Sequence, residues 1–326
     1  MSSAAEAAAP PPRRLVGVDL GGTLIRAALA TGPATHATPV RRATPHGVGP
    51  EGLLDAVAEA VREASGAEPP EGVAIGIPGP LDPAAGHVYA APNLDGWVDV
   101  PAQHLLEERV GCPVAIRNDA HLAGFAEWTA GAGAGTRHMV FITASTGVGG
   151  ALILDGELVA GVAGTAGELG HTIVDPDGPP CHQGHRGCLE GKASGTAIAA
   201  RAHQLLAAGE ASSLASLPPE RVDARAVADA AEAGDALAVR LYRDAGHTLG
   251  HAVGGLINAL SPEAVVIGGG LINAGELLFG PLREAVPDVA FAAPRSRCRI
   301  LPAALGTDAG LVGAVAWAVR CFARRG

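Results

Sequence analysis

Short apolar runs alternate with segments of helical period along this chain, and glycine clusters mark many of the boundaries. Residues 15–20 form an apolar run broken only by Asp19. Gly21-Gly22-Thr23 follows, and a second apolar run covers 24–30. Two such runs around a glycine tip predict a β-hairpin. Residues 50–64 carry apolar side chains at helical spacing with charges opposite, which predicts an amphipathic helix. Residues 72–77 read as a buried strand stopped by Pro78-Gly79-Pro80, and 114–117 as a further strand before a helix over 119–130. The pattern then restarts. Residues 139–144 predict a strand, Thr146-Gly147-Val148-Gly149-Gly150 a turn, and 151–154 a returning strand. This second glycine-tipped hairpin reads as an internal repeat of the first, and two copies of one unit predict two lobes with a cleft between them. Beyond it, helices are expected over 194–207, 224–233 and 236–260, and a buried strand over 264–267. Gly268-Gly269-Gly270 leads into a helix over 274–285, followed by a strand at 299–301 and a last helix over 309–322. The expected fold class is α/β, with mixed sheets flanked by helices.

Composition narrows the function. A chain of 326 residues can bury a sizeable core without disulfide staples. With 48 % apolar residues but only 3 % aromatics, that core must be built from Ala, Val, Leu and Ile. The formal net charge of −10 argues against nucleic acid and against anionic membrane surfaces as partners. A bound nucleotide would have to be held by local donors and a metal ion. Residues 1–13 are Ala- and Pro-rich without an apolar core, so they read as a disordered tail and not a secretion signal. The uncharged stretch 139–154 is broken by Gly, Thr and Ser, which argues against a membrane span. A cytoplasmic protein is expected.

Several motifs carry chemistry. Glycines at the tip of Asp19-Leu20-Gly21-Gly22-Thr23 let backbone N–H groups approach phosphate oxygens. Thr23 adds a hydroxyl, and Asp19 can hold Mg²⁺ through water. The bland alternative is an ordinary hairpin turn. The tip at Thr146, Gly147 and Gly149 offers the same kind of cradle, and two such tips suit a polyphosphate. Neither is a P-loop, because no Gly-Lys-Ser/Thr follows. Gly269 and Gly270 lie between a strand and an expected helix N-terminus, which suits a nucleotide or is simply a tight turn. Asp119 in Asn118-Asp119 can take a proton from a sugar hydroxyl, can cap a helix, or can do both. Glu168 and His171 fall on one side of a turn and can read adjacent sugar hydroxyls, with Glu190 as a further acceptor. His171, Cys181 and Cys188 suit Zn²⁺.

These motifs, in this order, resemble the ROK family of sugar kinases within the actin-like ATPase superfamily. The resemblance runs from about residue 14 to 323. Its most specific parts are Glu168-Leu169-Gly170-His171 and Gly187-Cys188-Leu189-Glu190. It implies two lobes with ribonuclease-H-like cores. Residues 14–131 plus the C-terminal helix (about 307–326) would form a small lobe, and 132–306 a large lobe carrying the zinc-type loop. It implies Asp119 as general base on the sugar 6-hydroxyl, with Gly79, Asn118, Asp119, Glu168, His171 and Glu190 around the sugar. It also implies ATP and Mg²⁺ at the two tips, adenosine against Gly268–Gly270, and a homodimer or homotetramer.

Glucose is the expected substrate, because Pro92-Asn93-Leu94 and Trp97 look like the segment before the sugar site in the family's glucokinases. A kinase for an amino or N-acetylated hexose and an inactive sugar-binding module are the alternatives. The family's regulators carry a winged helix ahead of this region, whereas only a short Ala/Pro-rich stretch precedes the first strand here. Two departures stand out. Gln183 occupies the place of a usual third cysteine, so either His182 or His185 completes a Cys₂His₂ zinc site or the loop carries no metal. His121 occupies a place where the family often has Asn.

Overall fold

A computed structural model describes residues 13–323. The expected tail falls, but for Arg13, outside the described residues. The described residues fall into two compact units, residues 13–119 with 311–323, and residues 120–310.

In the first unit the strands are β1 (Leu15–Leu20), β2 (Leu24–Gly32), β3 (Thr35–His36), β4 (Val40–Ala43), β5 (Gly72–Ile77), β6 (Leu81–Asp82), β7 (His87–Ala90), β8 (Val98–Val100) and β9 (Val114–Asn118). Its helices are α1 (Gly49–Ser65) and α2 (Ala102–Val110). The main sheet runs β3-β2-β1-β5-β9, with β4 beside β2, while β6, β7 and β8 make a separate small sheet. β1 pairs antiparallel with β2 and parallel with β5, and β5 pairs parallel with β9. Every residue of β5 is buried, as a central parallel strand covered on both faces requires. α1 turns Leu53, Leu54, Val57, Ala58 and Val61 inward at spacings of three and four, with Pro50 pre-set for its first turn.

The second unit repeats the plan. Helix α3 (Asp119–Ala130) leads into it. Its strands are β10 (Met139–Ala144), β11 (Val148–Leu154), β12 (Glu157–Leu158), β13 (Ala264–Gly268) and β14 (Arg299–Pro302). Its helices are α4 (Leu189–Ala193), α5 (Gly195–Ala207), α6 (Ala224–Glu232), α7 (Ala236–Leu260), α8 (Glu276–Val289) and α9 (Ala292–Arg295); α10 (Ala309–Phe322) follows and, from Leu311, belongs to the first unit. The sheet order is β12-β11-β10-β13-β14. β10 pairs antiparallel with β11 and parallel with β13, and β13 pairs parallel with β14. A hairpin followed by two parallel strands is therefore built twice. One face of this sheet packs Val140, Ile142, Val265 and Ile267 against α7 and α8. α7 is unusually long and buries Gly250, whose added Cβ would lie 2.4 Å from the Leu282 carbonyl oxygen of α8, so the two helices sit close.

Two sequence expectations are corrected. The turn read over 146–150 is shorter, because β11 already begins at Val148 and Gly149 and Gly150 pair across to Thr143 and Ile142. Gly268-Gly269-Gly270 leads into a 3₁₀ turn (Gly270–Ala274), and the α-helix starts only at Glu276. Pro281 and Pro287 lie inside that helix, which carries on past the expected end at 285.

Candidate active site

In the first unit, the turn between β1 and β2 is closed by the Gly21 N–H donating to the Leu24 carbonyl at 3.0 Å. Thr23 is exposed beyond it. The Thr44 hydroxyl donates to the Gly21 carbonyl at 2.7 Å and so anchors the turn to β4's end. Arg26 Nε donates to Asp19 Oδ2 at 2.9 Å, which fixes the carboxylate near the tip. Asn93 lies against Gly22, within 3.4 Å of where a Cβ would stand. Leu94 and Trp97 of the same segment are buried beneath it. At the end of β9, Asn118 Nδ2 donates to the Gly79 carbonyl at 3.0 Å. Two residues expected at the sugar are thus joined. Asp119 follows as the first residue of α3, half-buried.

The second unit holds the other tip. The Ser145 N–H donates to the Gly147 carbonyl at 2.8 Å. The start of α5 then binds the turn from below: the Gly195 N–H reaches the Ser145 carbonyl at 2.7 Å and the Thr196 hydroxyl reaches the Thr146 carbonyl at 2.8 Å. The Gly270 N–H donates to Ser145 Oγ at 3.3 Å, so the Gly269–Gly270 turn meets the tip directly. A cavity of about 930 Å³ opens beside them, lined by Ser145, Thr146, Thr196, Asp223, Arg225 and Gly270 among others. Its walls come from α5 and α6 as well as from the glycine turns. Asp223, Arg225 and Tyr242 belong to no motif, and sequence reasoning missed them, because residues spread over α6 and α7 carry no local signature.

Glu190, on α4, reaches the same tip. Its Oε2 accepts from the Val148 N–H at 3.1 Å, and its Oε1 lies 3.2 Å from His182 Nδ1. A carboxylate has about four lone-pair directions, so acceptors remain for a ligand. Glu168 enters the 3₁₀ turn Leu169–His171. Burial, and then the nearby Glu190 charge, push the Glu168 carboxyl above the usual range. Burial lowers the His171 imidazole; Glu190 opposes that shift, while His185 and His182 add to it.

The cysteine and histidine donors converge. His171 Nδ1 and His185 Nδ1 are 3.3 Å apart, and Cys181 Sγ is 3.9 Å from each. A tetrahedral zinc site with bonds of about 2.0 Å to nitrogen and 2.3 Å to sulfur would space two nitrogens by roughly 3.3 Å and nitrogen from sulfur by roughly 3.6 Å. These donors therefore fit zinc. Cys188, expected as a further ligand, is fully buried and adjoins Cys181, its Sγ accepting from the Gly191 N–H at 3.4 Å, but it stands outside this three-residue cluster. Of the two histidines left open by the sequence, His185 joins the cluster and His182 turns to Glu190.

A family model described as the ROK family matches residues 15–320. A glucokinase of Thermotoga maritima is 39 % identical over 310 residues, covering 93 % of this chain and 96 % of its own. The crystal structure of a ROK hexokinase from Thermus thermophilus superposes with a TM-score of 0.81 at 35 % identity, covering 93 % of this chain and 97 % of its own. A ROK family glucokinase from Streptomyces griseus, solved in complex with glucose and AMPPNP, gives 0.79 at 35 % identity, with 96 % and 100 % covered. The doubled hairpin-and-parallel-strand plan is that of the actin-like ATPase fold these sugar kinases share, and the chain belongs to the ROK family.

Proposed function

We propose that this chain is an ATP-dependent glucokinase-type phosphotransferase, which moves the γ-phosphoryl group of ATP to the 6-hydroxyl of a hexose, glucose first. The observation that carries this reading is the bond from the Val148 N–H to Glu190 Oε2. It ties a carboxylate suited to sugar hydroxyls to a backbone tip suited to phosphate. Similarity to glucokinases over nearly the whole chain supports the same reading.

In this reading Asn118, Glu168, His171 and Glu190 hold sugar hydroxyls, with Gly79 supporting Asn118. Asp119 accepts the proton of the 6-hydroxyl as its oxygen attacks the γ-phosphorus and ADP leaves. Gly22 and Thr23, with Thr146 and Gly147, supply donors to the phosphates, while Gly21 and Gly149 shape the two tips. Asp19 holds Mg²⁺ through water, and Gly269 and Gly270 border the adenosine. His171, Cys181, His185 and Cys188 hold a structural Zn²⁺. Zinc would then stiffen the loop that carries His171 and Glu190. The family resemblance further supports a cytoplasmic homodimer or homotetramer, and the acidic charge supports small-molecule partners without nucleic acid. No helix among the described residues is long and apolar enough to cross a membrane.

The test is a coupled ADP-release assay with Mg·ATP over glucose, mannose, fructose, N-acetylmannosamine and N-acetylglucosamine. Glucose should give the highest kcat/KM. Asp119→Asn should lower kcat by about a thousandfold while sugar affinity stays within a few-fold, since the amide keeps its hydrogen bonds. Near-normal turnover in that variant would remove Asp119 as the base.

A further inference from the structure

His121 has no part in the roles above, yet its ring is among the few polar side chains that are buried, at 2 % exposure. It is the third residue of α3. Its Nε2 lies 2.6 Å from the Ala166 carbonyl oxygen. A carbonyl only accepts, so Nε2 carries the hydrogen and donates.

That bond holds a sharp bend. Gly167, the next residue, has φ of +96°, in the region that disfavours side chains. A Cβ there would stand 3.2 Å from His121 Nε2, 3.1 Å from the Gly150 carbonyl oxygen and 3.4 Å from Ala151 Cα. The bend is thus enclosed by the imidazole on one side and the backbone of β11 on the other. The Gly167 carbonyl accepts from the Leu169 N–H at 2.6 Å, so the turn that follows is built on the bend. Glu168 stands between these two residues, and His171 closes the turn.

We infer that His121 is a positioning residue for the sugar-binding carboxylate. By donating Nε2–H to Ala166 it fixes the Gly167 bend and holds Glu168 and His171 where they meet sugar hydroxyls. The inference rests on the proposed role of Glu168. His121 itself does not touch the sugar. Because α3 begins at Asp119, a single helix carries both the proposed base and the clamp on the sugar loop. A hydrogen-bonded ring inside a helix is a stiffer support than an exposed loop contact.

Three variants separate this role from mere space filling. The amide nitrogen of glutamine can reach the place of Nε2, whereas that of asparagine stops near the place of Nδ1. His121→Gln should keep the sugar KM within about twofold of the parent. His121→Asn and His121→Leu should each raise it about tenfold, with kcat and the KM for ATP little changed, as loss of one buried hydrogen bond predicts. Amide hydrogen exchange over residues 166–171, measured on the ligand-free full chain, should be faster in His121→Asn and His121→Leu and unchanged in His121→Gln. If His121→Asn matches the parent in exchange and KM, or if His121→Gln is as impaired as His121→Asn, the inference fails. A parent enzyme silent on every hexose would count against the proposed function, and the exchange comparison would then decide the clamp alone.

Discussion

At the level of single residues, the site pairs groups whose environments oppose their usual ionisation. Glu168 is held above the ordinary carboxylate range by burial and, next, by Glu190. If its ionised form accepts from sugar hydroxyls, kcat/KM should fall on the acid side at a pH above that of a free glutamate. Removing the like charge should shift that limb. Glu190→Gln is expected to move it to lower pH, though not all the way, because burial remains the larger cause. A pH profile of kcat/KM for the two enzymes checks this, and an unmoved limb would separate Glu168 from the titration. Asn118, Asp119, Glu168, His171 and Glu190 stand out in the sequence as candidates, because each sits in a short motif whose residue types match sugar hydroxyls. The partners of those residues were not legible. The bonds from Asn118 to Gly79, from Val148 to Glu190 and from His121 to Ala166 link positions about forty residues apart, and no local pattern reports them.

Among elements, α7 shows how a helix start is fixed. Asp235 caps it by accepting from the Ala238 N–H at 3.0 Å. Its other oxygen accepts from the Ser213 N–H and from the hydroxyls of Ser212 and Ser213, so the cap also ties down the loop before α6. Desolvation raises its pKa, but these hydrogen bonds win and lower the carboxyl to about 2. A folded value below the unfolded one means the cap's stabilisation is complete above about pH 4 and is lost as pH falls towards 2. Asp235→Ala should therefore cost about 1 kcal/mol in urea unfolding at pH 7. The gap to the parent should narrow steadily below pH 4, and a gap constant with pH would mean that the charge is not what stabilises the cap. Helical periods made α1, α7 and α10 readable in advance. The two- to four-residue strands β3, β4, β6, β7 and β8 were not, since segments so short carry too few alternations to be told from loop.

For the whole molecule, the same hairpin-and-parallel-strand plan occurs in both units, and the glycine-tipped motifs announced it. Metal binding offers a test on this scale, since a site joining residues 171, 181, 185 and 188 closes a loop only in the folded state. One zinc per chain is expected by elemental analysis, and chelation should lower the Tm. His185→Ala should weaken zinc retention by at least roughly tenfold, while Gln183→Ala should leave it unchanged. Equal retention in both variants would rule out His185 as the replacement ligand. The sequence by itself determined the order of the main strands and helices, the two glycine-tipped hairpins and the family, because hydropathy period and glycine placement act locally. Only the tertiary structure decided which histidine joins Cys181, where the cavity beside the second tip finds its walls, and which carbonyl His121 meets. Those choices depend on distances between segments far apart in the chain, which packing sets and local propensity does not.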